Sequence, residues 1–169
     1  MESGDKPAFS KDSSPFSENV PCGNQDSIDA EYARSQLVEK FFIIIASTKS
    51  LEEAYDIARK AEHKTGFKFQ DSRVEVDTVN GGLTFPPDTC KTSGFDYPCY
   101  VPRGRYDDGI YFSIESSNNY DGFTKDFYII IAGSGSNEND ELKTTLTKIK
   151  RYYPDCYIKK SKIYMGCIH

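Results

Sequence analysis

Asp107, Asp108 and Glu115 are three acids around the apolar run "GIYFSIES", and a pair of carboxylates is what glycoside cleavage uses as acid and base. Adjacent aspartates also cap turns, and Asp107 and Asp108 close a Gly/Pro-rich stretch, so no catalytic residue is assigned to them. His63 falls in the last turn of a predicted helix, where a cation opposes the negative end of the dipole. His169 is the last residue of the sequence, and neither histidine has a spacing that makes a Cys–His nucleophile pair. There is no CxxC, HExxH or ordered Asp-x-Asp loop, so no metal is expected. "GSGSNEND" precedes a predicted helix but lacks the Lys and Ser/Thr of a phosphate-binding loop, and reads as a turn. The expectation is a protein that is not an enzyme and carries no cofactor.

The five cysteines have a different use. Cys90 and Cys99 flank "KTSGFDYP", a run of turn formers. Cys156 and Cys167 bound "CYIKKSKIYMGC", where two short strand-like runs would fold about Ser161 and Lys162 and bring the thiols opposite each other. Two local disulfides, Cys90–Cys99 and Cys156–Cys167, with Cys22 left over, point to an oxidising compartment. The chain is therefore expected to be periplasmic or secreted. Its start, "MESGDKPAFSKDSSPFSENVP", has no apolar signal-peptide core, so Met1 would stand in for a removed leader. No run of about 18 apolar residues exists, and no integral membrane segment is expected.

Charge narrows the partners further. Lys and Arg number 21 against 26 Asp and Glu, a net charge of −5. Without a basic block, nucleic acid and anionic membranes are not expected partners. The 12 Tyr and 11 Phe, with no Trp, suit a sheet-rich core and adhesive surfaces.

The elements that position these residues begin after a flexible tail at 1–26, read from its Ser, Pro, Glu and Lys content. A single domain is expected over 27–169. "SIDAEYARSQLV" at 27–38 predicts a short helix capped by Ser27. "FFIIIAS" at 41–47 then recurs 86 residues later as "FYIIIAG" at 127–133. Three consecutive isoleucines point alternately in a strand, so Ile43 and Ile45 face one side and Ile44 the other, which marks a central strand. "KSLEEAYDIARKAEHKTG" predicts a helix with a Ser50/Glu53 capping box and a Gly66 stop. "FKFQDSRVEVDTV" at 67–79 predicts a strand, and residues 80–108 an insertion too long for an ordinary connection. "GIYFSIES" is another strand. "ELKTTLTKIKRYYP" is an amphipathic helix on Leu142, Leu146, Ile149 and Tyr153, stopped by Pro154. Two strand–helix–strand halves interleaved in one antiparallel sheet give an α+β, ferredoxin-like duplicated split βαβ arrangement with both helices on one face.

"FFIIIASTKSLEEAYDIARKAEHKTG" and "FYIIIAGSGSNENDELKTTLTKIKRYYPDCYI" resemble the two halves of SPOR or SPOR-like domains of the bacterial cell envelope. The resemblance covers about 40–66 and 109–160, and Ser47, Tyr128 and Gly133 match the family pattern. It implies a ferredoxin-like fold and binding of peptidoglycan glycan strands on the sheet face opposite the helices. Ile44 and Ile129 stand where the family carries a Gln and an Arg, so that face lacks the polar groups a glycan needs.

The expected function is thus a non-enzymatic, SPOR-like envelope module that binds a protein partner or peptidoglycan. The alternative is a periplasmic immunity or inhibitor protein that plugs a toxin's cleft with its aromatic loop. Aromatic anchors carry much of the energy of protein interfaces, and the candidates are Phe95, Tyr97, Tyr100 and Tyr106, beside Phe85. An RNA-recognition reading fails because Ile129 and Ile131 alternate with Phe127 and leave no second stacking ring. The insertion, or the 27–38 segment, is expected to cover part of the sheet face that holds Ile44.

Overall fold

Isoleucines stiff at Cβ favour extended backbone, and both isoleucine runs are strands in the computed structural model, which describes residue 32 and residues 34–166. The first run lies in β1 (Leu37–Thr48). After α1 (Leu51–Thr65), two short strands, β2 (Glu75–Val76) and β3 (Leu83–Thr84), pair as a small hairpin. There follow a short helix α2 (Pro87–Thr92), β4 (Gly109–Ser116), β5 (Tyr128–Gly135), α3 (Asp140–Lys150) and β6 (Tyr157–Tyr164). The main sheet has the order β4-β5-β1-β6, with every neighbouring pair antiparallel. The fold is mixed α+β.

The two isoleucine runs are neighbours at the centre of this sheet, with Ile44 opposite Ile131 and Ala46 opposite Ile130. Alternation divides their side chains as the sequence predicts. Ile43, Ile45, Ile130 and Ala132 pack on one face with Ala54, Ala58 and Ala61 of α1 and Leu142 and Ile149 of α3. Phe42, Ile44, Ile129, Ile131 and Ile163 form a second cluster on the other face, with Tyr120. Both long helices thus lie on the same side.

The helix ends follow from local chemistry. Ser50 caps α1 by accepting from the Glu53 amide at 3.3 Å. The capping box is not reciprocal: the Glu53 carboxylate takes the Thr48 hydroxyl, and the Ser50 amide donates to Thr48 Oγ1. Gly66 ends α1 with φ 74° and donates its amide to the Glu62 carbonyl at 2.8 Å, a left-handed cap that favours glycine. Asn139 caps α3 through the Leu142 amide. No helix among the described residues is long and apolar enough to cross a membrane.

Several expectations need correction. Leu37 and Val38 belong to β1, so a helix does not extend to 38; the rest of that prediction, the tail at 1–26 and Cys22 lie largely or wholly outside the described residues. Residues 67–79 are not one strand. Phe69 makes a parallel bridge to Phe112, and the chain then breaks at Arg73, whose φ of 51° is left-handed and incompatible with extended pairing. The excursion between α1 and β4 therefore starts at residue 67, well before 80. Finally, β6 runs without a turn through Ser161 and Lys162. Eight extended residues carry the chain about 26 Å, far beyond the roughly 7 Å Cα separation a disulfide tolerates. Cys156 is free and buried, and the hairpin that would have paired it with Cys167 does not form; Cys167 itself lies outside the described residues.

Candidate functional site

The excursion is fixed at three places before it reaches β4. Cys90 and Cys99 are bridged with Cα atoms 5.8 Å apart, and Cys90 is fully buried. The Phe85 amide donates to the Cys99 carbonyl at 2.9 Å, and the Cys99 amide donates to Thr84 Oγ1 at 3.1 Å. Next, Arg103 drives its guanidinium beneath the sheet edge. Nε donates to Ser134 Oγ at 3.1 Å; Nη1 to the carbonyls of Tyr111 and Ile131 and to Ser113 Oγ; Nη2 to the Gly109 carbonyl at 2.8 Å. The group also stacks on the Tyr111 ring, 3.6 Å from its centre. Gly104 follows with φ +89°, and a Cβ there would meet Ile163 Cδ1 at 2.8 Å and Phe42 Cζ at 2.9 Å. Backbone is pressed onto the sheet face opposite the helices, so that face is covered at its Phe42–Ile163 end, as the sequence predicts for the insertion.

Beside Arg103 lies a cavity of about 90 Å³ at the edge of β4. Its aromatic wall is Tyr55, Phe69, Phe85, Tyr100 and Tyr111, and Glu115 and Arg103 line its interior. Glu115 is 4 % exposed. Its Oε2 accepts from the Tyr100 hydroxyl at 2.5 Å, the Tyr120 hydroxyl at 3.1 Å and the Arg103 amide at 3.2 Å. All three donors converge on one oxygen, and Oε1 accepts nothing from the described residues. Burial pushes the Glu115 carboxyl above its ordinary range, opposed by the Tyr100 hydroxyl and by Arg103. Burial and the neighbouring carboxylate push the Tyr100 and Tyr120 hydroxyls upward, and burial lowers Arg103.

The acids singled out in the sequence separate here. Glu115 and Asp107 both line the cavity, Asp107 at its exposed rim. Asp107 Oδ1 accepts from the Gly104 amide at 3.2 Å and Oδ2 from the Tyr111 hydroxyl. Asp108 turns away, taking Lys40 Nζ at 2.7 Å and the Ser136 hydroxyl at 3.3 Å. Among the described residues no group of three His, Cys, Asp or Glu side chains is arranged to hold a metal.

The four aromatic candidates do not form one surface. Tyr97 is 47 % and Tyr106 66 % exposed; Phe95 is half-buried. Tyr100 is not an outward anchor: its ring packs on Phe85 with centres 5.2 Å apart and its hydroxyl is committed to Glu115. Tyr106 belongs instead to a cluster absent from the sequence reading. Arg105 lies 5.5 Å from the ring centres of both Tyr106 and Tyr164, near the strand ends where exposed Leu37 and Val38 pair with Tyr164 and Ile163. On the sheet face opposite the helices a groove of about 150 Å³ remains, lined by Ser47, Phe123, Phe127, Ile129, Tyr157 and Lys159.

Sequence reasoning also missed Arg103, Tyr111 and Tyr120. No local signal marks the buried acid: in "IYFSIES" Ser113 and Glu115 alternate with Phe112 and Ile114, which is how a strand with one solvated face reads. No protein-family model, curated protein or solved structure gives a significant match to this chain.

Proposed function

We propose that the chain is a non-enzymatic binding module of the bacterial cell envelope that recognises a protein partner through the surface around Tyr106. On this reading its sheet is the ferredoxin-like, SPOR-like split βαβ. The order β4-β5-β1-β6, with α1 and α3 on one face, supports that, being the order two interleaved βαβ halves produce. The Cys90–Cys99 bridge supports an exported location.

The observation that carries the partner reading is the Tyr106–Arg105–Tyr164 cluster beside exposed Leu37 and Val38. Tyr and Arg are the residues most enriched among interface anchors. Gly104, packed on Phe42 and Ile163, holds the cluster at one height above the sheet, which lowers the ordering cost of binding. Catalysis finds less support. Asp108 is held by Lys40 and Asp107 by Tyr111, and a cavity of about 90 Å³ falls below the roughly 300–1,000 Å³ of small-molecule sites. An immunity or inhibitor protein would use the same surface against an enzyme.

A second reading, glycan binding, is favoured by the open groove that contains Ser47 and half-exposed Tyr157. One experiment separates the two: co-sedimentation with purified peptidoglycan sacculi, and capture from envelope extract, for the native protein, Tyr106→Ala, Tyr97→Ala and Tyr157→Ala. Protein capture weakened by about 1–2 kcal/mol or more in Tyr106→Ala, with no sacculus binding, is the expected result. Sacculus binding lost only in Tyr157→Ala would replace the protein reading with the glycan one.

A further inference from the structure

β6 is the outer strand of the sheet, and among the described residues β1 alone pairs with it. The register, unbroken from Leu37–Tyr164 to Ile44–Tyr157, fixes which way its backbone points. Just beyond the strand end the Met165 amide donates to the Gln36 carbonyl at 2.8 Å, which makes residues 165 and 36 a hydrogen-bonded pair. Bonded and unbonded pairs alternate along an antiparallel ladder. Tyr157, Lys159, Ser161 and Ile163 therefore turn their amides and carbonyls toward β1, and Ile158, Lys160, Lys162 and Tyr164 turn theirs outward. No backbone group among the described residues meets the outward set. Such an edge is a template for one more strand.

The side chains decide which strand it admits. All four outward residues share the face of the helices, where Ile158 packs with the cluster under α1 and α3. Lys160 and Lys162 are exposed, and Tyr164 is 38 % exposed. Lys160 pairs with Glu39 at 2.9 Å, and Lys162 has no ion pair among the described residues. The edge is thus locally basic on a chain of net charge −5. A second copy does not suit it. A two-fold axis through residue 160, 161 or 162 would set Lys160 against Lys160, Lys160 against Lys162, or Lys162 against Lys162, and like charges directly opposite destabilise. Lysines on an edge turn most strands away, but a strand with acids at the matching alternate positions gains from them.

We infer that the outer edge of β6 is a docking site for an extended acidic segment of a protein partner, added as a further strand of the sheet. The segment carries acids opposite Lys160 and Lys162 and apolar side chains opposite Ile158 and Tyr164, in the order apolar-x-acid-x-acid-x-apolar. That order reads the same in both directions, so it serves either strand polarity. The inference deepens the partner-binding function and rests on it. Tyr164 shares Arg105 with Tyr106, which makes the edge continuous with the Tyr106 surface.

The experiment titrates the whole chain with a blocked peptide, Val-Thr-Glu-Thr-Glu-Thr-Val flanked by serines, and with a counterpart that has lysine for both glutamates. Amide hydrogen exchange followed by NMR is the readout. In the free protein the amides of Ile158, Lys160, Lys162 and Tyr164 should exchange fast, and those of Lys159, Ser161 and Ile163 slowly. The acidic peptide is expected to slow the outward set, and the lysine peptide to leave it fast. Lys160→Glu combined with Lys162→Glu should weaken the acidic peptide about 10-fold or more and make the lysine peptide the preferred one. Outward amides that stay fast with the acidic peptide, or slow equally with both peptides, would overturn the inference, as would a preference that the charge reversal does not invert. None of those results touches the Tyr106 surface, which is read by capture from envelope extract. Capture unchanged by Tyr106→Ala, beside slowed β6 amides, would remove that surface and keep the edge.

Discussion

Adding one methyl group at Gly104 tests whether the insertion is truly seated on the sheet. Gly104 has φ +89°, and its Cβ would lie 2.8 Å from Ile163 Cδ1 and 2.9 Å from Phe42 Cζ. A non-glycine residue in that region costs about 1–2 kcal/mol. Relief of the overlap is the second cost. Ile163 can swing its terminal methyl, but the Phe42 ring is fully buried and packs edge-on against Tyr120, centres 5.1 Å apart, so it has little room to move. Overpacking of this kind costs about 1–3 kcal/mol, and Gly104→Ala should destabilise by about 2–5 kcal/mol altogether. Gly94 supplies the control: its φ is +80° and a Cβ there meets nothing within 4 Å, so Gly94→Ala should show the backbone cost alone. Urea denaturation of both variants reads the difference. With a slope of about 1–3 kcal/mol per molar, Gly104→Ala should lower the midpoint by about 1–2 M or more. Equal effects at the two glycines, or a loss below about 0.5 kcal/mol at Gly104, would refute the seating of the insertion on Phe42 and Ile163.

Three other outcomes are expected. Glu115, raised in the folded state from an ordinary value near 4.5, binds its proton more tightly folded than unfolded, so its contribution to stability falls as pH rises from that value through the folded pKa. Glu115→Gln should remove the downward slope that sets in above the ordinary carboxyl value, and identical pH profiles of native and variant protein would disprove the shift. Cys156, free and 2 % exposed, should resist alkylation in the native protein and react once denaturant is added without reductant; a Cys156–Cys167 disulfide found by peptide mapping would contradict the unbroken β6. Arg103→Met should cost about 3–5 kcal/mol, as for breaking a buried charged network, while Arg103→Lys should recover only part of it because one ammonium cannot reach five acceptors; full recovery by lysine would mean that the charge alone matters.

What the sequence made legible is whatever local periodicity encodes. The repeated isoleucine runs implied adjacent central strands with Ile43 and Ile44 on opposite faces, and both hold. Ser50 and Gly66 marked the ends of α1, and the eight residues of turn formers between Cys90 and Cys99 marked their bridge. The failures have equally physical causes. "IKKSKI" reads as strand, turn and strand because lysines are poor strand formers. At a sheet edge, though, lysines project into solvent and discourage pairing with other chains, which is where Lys160 and Lys162 stand on β6, while Lys159 lies over the Phe123 ring and donates to the Gly122 carbonyl. Residues 67–79 alternate well enough for a strand, but the left-handed turn at Arg73 has no signature in a residue type that rarely adopts it.

The site was hidden for a deeper reason. Arg103 meets Ser134 and Ile131 across about thirty residues of chain, and no window of sequence contains both ends of such a contact. Yet the contact decides what the surface can do. A guanidinium is buried without penalty only when its donors are nearly all met, and the partners that meet them here lie on β4 and β5. The insertion is therefore locked in a single register against the sheet. That register presses Gly104 onto Phe42, turns Tyr100 inward to Glu115 and leaves Tyr106 outside. Covering one end of the sheet face and presenting an aromatic anchor beside it are consequences of one buried cation.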